Sequence, residues 1–144
     1  MAGDWKVDGG RLWASGVATA VVAGLVAATV LFVGRSLVGV EILVAPPGGA
    51  LEPLSYTKAF GLAAIMALVA TAVLHLLLVV VPRGTAYFGW LTTLFLILSF
   101  GPIFSLSTPL EPKLWLVAIH TLTYAVIVSL LLGAVPRVAR RIEP

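Results

Sequence analysis

The sequence predicts an all-α fold, an integral membrane four-helix bundle whose spans run antiparallel, up and down. Three observations carry that expectation. Apolar residues make up 60% of the chain and charged residues 10%, with a mean hydropathy of +1.12, values that belong to polytopic membrane proteins rather than soluble domains. Four apolar runs of about twenty residues recur, each long enough for a helix rising about 1.5 Å per residue to cross a hydrocarbon core roughly 30 Å thick. Beyond Lys58 at the mouth of the second run, no Asp, Glu, Lys or Arg falls inside any of them. The spans are placed at residues 12–33, 58–81, 87–106 and 114–135, with an outer loop at 34–57, and residues 1–144 read as one transmembrane domain.

The first span, Leu12 to Val33, organises the rest. Gly16, Ala20, Gly24 and Ala28 recur every four residues, so they form one shallow ridge along the helix. In lipid, where burial gives no drive between helices, such a ridge lets a second backbone approach closely. Packing within the bundle is the simpler use of it, and a dimer seam uses the same physics. Gly24 lies deepest and is where a large side chain is expected to do most harm. Trp5 and Trp13 flank the membrane surface. A signal peptide is disfavoured because the apolar run exceeds the roughly 7–15 residues of a signal core, and Ala18-Thr19-Ala20 lies inside the run rather than after it.

In the outer loop, Leu37 to Ala45 is apolar except for Gly39 and Glu41 and too short to span, and Pro46-Pro47-Gly48-Gly49 stops regular structure. It reads as a loop in the headgroup layer or as a lid over the mouth of the bundle. The second span carries a small-residue stripe of Ala63, Ala67 and Thr71, and Pro82-Arg83-Gly84 then forces the third to run antiparallel. Tyr87, Phe88 and Trp90 open the third span as an aromatic belt. Pro102 kinks it by removing a backbone hydrogen bond, with Ser99 placed to help satisfy the freed groups. Ser107 to Lys113 is a short polar loop. The fourth span has Ala125, Ser129 and Gly133 on one face and ends before Pro136, followed by a basic tail of Arg137, Arg140 and Arg141.

Lys6, Arg11, Arg83, Arg137, Arg140 and Arg141 fall on the side of the termini, against Arg35, Lys58 and Lys113 opposite. Six against three predicts cytoplasmic termini. The abundance of Ala, Val, Gly and Leu, with six arginines against three lysines, has the composition of a GC-rich bacterial gene, so the expected location is a bacterial plasma (inner) membrane.

Chemistry-bearing residues are few. A net charge of +3 is too small and too dispersed for nucleic acid, and the absence of cysteine excludes disulfides, thiolate metal sites and cysteine nucleophiles. The spans hold no carboxylate of the kind a proton-coupled pump uses. Ionisable groups within membranes are functional suspects by default, and here they are His75 and His120. Counting from Lys58 and Lys113, the two lie about 15 Å apart in depth, so a shared haem or metal is not expected. His120 is the stronger suspect, with Thr121, Thr123 and Tyr124 around it. Without a nucleophile or carboxylate nearby, no catalytic residue, cofactor or metal site is assigned.

Arg11-Leu12-Trp13-Ala14, the run Leu74-His75-Leu76-Leu77-Leu78 leading to Pro82-Arg83, and Phe88-Gly89-Trp90 together resemble a family of uncharacterised small four-helix membrane proteins of actinobacteria (domain of unknown function, 6069-like). The resemblance covers nearly the whole chain. It implies a four-helix membrane domain and carries over no activity, cofactor or substrate. The function expected is that of a non-enzymatic structural or partner-binding subunit, with membrane lipids and a homo-oligomer or larger membrane protein as partners. The alternative is a small transporter or channel for a neutral or hydrophobic solute, and an integral membrane enzyme comes third.

Overall fold

The structure, a computed structural model, describes residues 5–141. Strand β1 (Trp5–Val7) leads into helix α1 (Gly9–Phe32); β2 (Leu43–Val44) and β3 (Glu52–Pro53) form the loop hairpin; helices α2 (Tyr56–Val80), α3 (Gly84–Ser105) and α4 (Leu110–Val138) follow, and β4 (Ala139–Arg141) ends the described chain. All four helices are long and apolar enough to cross a membrane. The fold is an all-α, multi-pass membrane bundle.

The helix ends have local causes. Asp8 caps α1, its carboxylate accepting from the Arg11 backbone N–H at 3.1 Å while the Arg11 guanidinium lies 3.4 Å away. Such a cap satisfies a donor that the first turn leaves unpaired. At its other end α1 runs on as a π-helical turn, Val33–Val38, until Gly39 adopts φ 81°. There the Val40 N–H reaches back to the Gly34 carbonyl at 2.9 Å; the left-handed residue that closes such an end carries no steric cost only when it is glycine. Ser55 caps α2, accepting from the Lys58 backbone N–H at 3.2 Å.

α4 departs from its expected span at both ends. It starts at Leu110 because Pro112 falls in the first turn, where a backbone N–H has no intrahelical acceptor to lose. It also passes through Pro136, whose ring leaves one carbonyl short of a donor only a few residues from the end. Val138 is 2% exposed, and its carbonyl accepts from the Asp8 N–H at 2.9 Å, so this end is pinned. Arg140 and Arg141 are not a free tail: β4 pairs antiparallel with β1, Trp5 opposite Arg141 and Val7 opposite Ala139.

α1 packs along α2 and α4, and α3 packs more loosely on α2 and α4 across from it. Small side chains allow the close pairing. Ala20, Ala23 and Ala27 of α1 and Ala59, Ala63 and Ala67 of α2 are all buried. Gly16, Ala20 and Gly24 are buried and Ala28 is half-buried. A Cβ at Gly16 would stand 2.5 Å from the Thr71 hydroxyl and one at Gly24 would stand 2.6 Å from the Phe60 ring, so this ridge faces α2. The outer face of α3 is the reverse, with Trp90 71% and Leu98 72% exposed.

The Ser99 hydroxyl does not reach the carbonyl that Pro102 leaves unpaired, that of Leu98. It donates to the Leu96 carbonyl at 2.6 Å. Helix side chains lean toward the N-terminus, so a serine reaches carbonyls three or four residues back rather than the one just before it.

Candidate binding cavity in the bundle

Because α3 stands away from α1, the bundle is not filled on that side. A cavity of about 420 Å³ lies between α2, α3 and α4, with Ala27 of α1 at its back. Its size falls in the range of sites for small molecules. Leu62, Met66 and Val69 of α2 and Leu91 and Phe95 of α3 line it and are themselves exposed. The cavity therefore opens sideways, between α2 and α3, where lipid would lie.

Its end away from β1 and β4 is closed by the hairpin and the residue after it, which supply Val44 and Leu54. Pro47 and Gly48 are the central residues of the tip, with the Gly49 N–H bonded to the Pro46 carbonyl at 3.0 Å and Gly48 at φ 73°. That is the geometry of a type II turn, which favours proline and then glycine. The hairpin is held down from several directions. Ile42 is fully buried, and Arg35 donates to the Leu54 carbonyl at 3.2 Å while its guanidinium stacks 5.6 Å from the Tyr56 ring centre. Lys58 pairs with Glu52. Loop 34–57 thus lies against one end of the cavity, a placement compatible with both readings of it.

Among the described residues, five polar side chains line the cavity: Thr92, Ser99, His120, Thr123 and Tyr124. Three are committed to the protein. Thr92 donates to the Phe88 carbonyl at 2.7 Å, and Ser99 to Leu96. Thr93 donates to the Gly89 carbonyl at 2.7 Å, so the 2.7 Å bond between its hydroxyl and that of Tyr124 has Tyr124 as donor. Tyr124 thus clasps α4 to α3. His120 bonds the Leu116 carbonyl through Nδ1 at 2.8 Å; a carbonyl only accepts, so Nδ1 carries the hydrogen and Nε2 of the neutral ring is an acceptor. The Thr123 hydroxyl is buried and has no partner.

His75 lies elsewhere. Its Nδ1 accepts from the Trp13 indole N–H at 3.2 Å, and its ring meets Gly9 at the start of α1. His120 precedes Val138, the residue bonded to Asp8, by eighteen positions, so the two rings differ in depth by about 27 Å. The separation exceeds the sequence-based 15 Å because α2 and α4 do not begin at one level. No single metal or haem spans it.

Among the described residues, no nucleophile and base are hydrogen-bonded to each other in the cavity. Apolar walls with a few placed polar groups are the makings of a binding site. A family model described as Family of unknown function (DUF6069) matches residues 7–137. The chain belongs to that family. The DUF6069 match takes in the hairpin, all four helices but the last residue of α4, and thus every residue lining the cavity. No curated protein and no solved structure matches this DUF6069 chain.

His120 and Tyr124, suspects from the sequence, both line the cavity, and His75 does not. Thr92 and Ser99 were not singled out by sequence reasoning as part of a site. Neither carried a signal, since a serine or threonine facing its own helix and one facing a cavity have the same spacing.

Proposed function

We propose that this protein binds a small, uncharged, apolar molecule drawn from the bilayer, as a carrier or a store. The observation that supports this most is the sideways opening of the cavity between α2 and α3, at a level where only membrane-dissolved molecules would reach it. The reading follows the alternative expected from sequence rather than the partner-binding subunit. The exposed apolar face of α3 suits acyl chains as well as a partner helix, and so favours neither. With 1-aminoanthracene as a probe that brightens in apolar sites, the purified protein should bind about one molecule per chain, saturably. Ala70 is half-buried on the cavity wall, and Ala70→Phe should weaken that binding by about tenfold while leaving the melting temperature unchanged, because the ring enters existing space. Uptake that never saturates and is equal in the variant would refute the proposal.

The charge count supports an orientation in a bacterial inner membrane with the ends of the bundle cytoplasmic and the hairpin outside. Reporter fusions at Gly49 and after Pro144 are expected on opposite sides; fusions that report the same side would overturn this arrangement.

A further inference from the structure

The polar groups lining the cavity have spent their hydrogens and kept their lone pairs. Thr92, Ser99 and Tyr124 donate to protein acceptors at 2.7, 2.6 and 2.7 Å, and each oxygen can still accept. His120 gives its Nδ1 hydrogen to the Leu116 carbonyl, which leaves Nε2 as an acceptor. Among the described residues Nε2 has no partner, yet it is not one of the buried unpaired polar atoms, which are the hydroxyls of Thr108 and Thr123. It is therefore accessible, on a side chain that lines the cavity. The Thr123 hydroxyl is enclosed in the wall and takes no part.

Such a surface sorts ligands by what they bring. A ketone or an ether arrives with acceptors and finds no free donor; to gain a bond it must break one already made. An aliphatic alcohol donates to Nε2, but its own lone pairs then go unpaired, at a cost. A phenol or an aryl amine gives up less, because its lone pair is delocalised into the ring and accepts poorly, while its O–H or N–H is the stronger donor. Carboxylic acids and alkyl amines ionise in water, and no Asp, Glu, Lys or Arg lines the cavity to receive them. Resting on the reading of the cavity as a binding site, we infer that its ligand is an uncharged lipophilic arene bearing an O–H or N–H group, which it donates to His120 Nε2. The lining also supplies partners for the ring: Phe95 and Tyr124 offer aromatic contacts and Met66 a thioether, which favour an aromatic body over an acyl chain.

The test uses para-heptylphenol, para-hexylbenzyl alcohol, para-hexylanisole and para-pentylacetophenone, which are matched in carbon and oxygen content. Each is titrated against 1-aminoanthracene bound to the purified full chain. The phenol should bind about fivefold tighter than the ether and the ketone, the worth of one net hydrogen bond, with the benzyl alcohol between. His120→Leu should lower phenol affinity to that of the ether and leave the ether as it was. That comparison cancels differences in how the compounds enter detergent, and the unchanged ether reports an intact fold. The order in the unaltered protein decides the matter should the variant not fold. If the ether, the ketone or the benzyl alcohol binds as tightly as the phenol, or if His120→Leu keeps the full preference, the assignment of an aromatic donor fails while the cavity reading stands. If the dye itself finds no saturable site, both fail.

Discussion

Gly16→Leu is expected to prevent the bundle from reaching its folded state. The α carbon of Gly16 faces Thr71, and a Cβ there would lie 2.5 Å from both branches of that side chain and 2.9 Å from its Cβ. Thr71 has little room to yield. It is fully buried, its hydroxyl donates to the Ala67 carbonyl at 2.7 Å, and a β-branched side chain on a helix has few rotamers. Overpacking typically costs about 1–3 kcal/mol and sometimes more; with four heavy atoms to place in an α1–α2 contact of small residues, the upper end applies. In detergent the variant should lose its cooperative thermal transition. Gly24→Leu should be milder, since the half-buried Phe60 ring can swing aside, which reverses the order expected from depth alone. Val22→Leu, at a position 41% exposed, should change little. A Gly16→Leu protein that melts like the parent would mean that α1 and α2 do not pack as described.

Gly84→Ala should be the most damaging single-methyl change in the chain. A Cβ at Gly84 would run into the carbonyl of Leu77, with its carbon 2.6 Å away and the Leu78 nitrogen 2.9 Å away. These are backbone atoms, and the same Leu77 carbonyl accepts from the Val81 N–H at 3.0 Å. Nothing there can rotate away. The Pro82–Arg83 connection, with Arg83 already left-handed at φ 63°, would have to open, at a cost of about 2 kcal/mol or more. The controls lie on the same helix. At Gly89 and Gly101 an added methyl would meet nothing within 4 Å, so alanine at either should leave stability level or raise it by up to about 1 kcal/mol. Thermal denaturation of the three variants side by side decides the matter, and equal effects would place the α2–α3 turn wrongly.

The span count was legible because hydrocarbon thickness sets a length that composition either meets or does not. The small-residue ridge was legible as a close contact but not as to which helix it meets, since Gly16 and Gly24 say only that something comes near. Helix ends were less so. Pro136 looks like a stop, and only the bond between Val138 and Asp8, over a hundred residues apart, explains why the helix runs past it. The cavity was legible least of all. It arises from how far α3 stands from α1, and spacing along α3 does not encode a distance across the bundle. His120 stood out as an ionisable group in an apolar run, whereas the buried, unpartnered hydroxyl of Thr123 differs from that of Thr19, bonded to the Ser15 carbonyl at 2.8 Å, only in three dimensions.

The pairing of β1 with β4 bears on how the protein is made. α1 is the first of the four helices to leave the ribosome, and α2 can join it at once through the alanine and glycine contact. Its other neighbour, α4, is the last to be synthesised, and the strands that fasten the two meet only when both are in place. Until then α1 and α2 form a hairpin with one flank facing acyl chains, and α3 arrives with little contact to α1 to guide it. Biogenesis is thus a ring closure: the final span does not extend a row of helices but returns to the first, and the wall of the cavity that bears His120 and Thr123 is the last part of the site to be laid down.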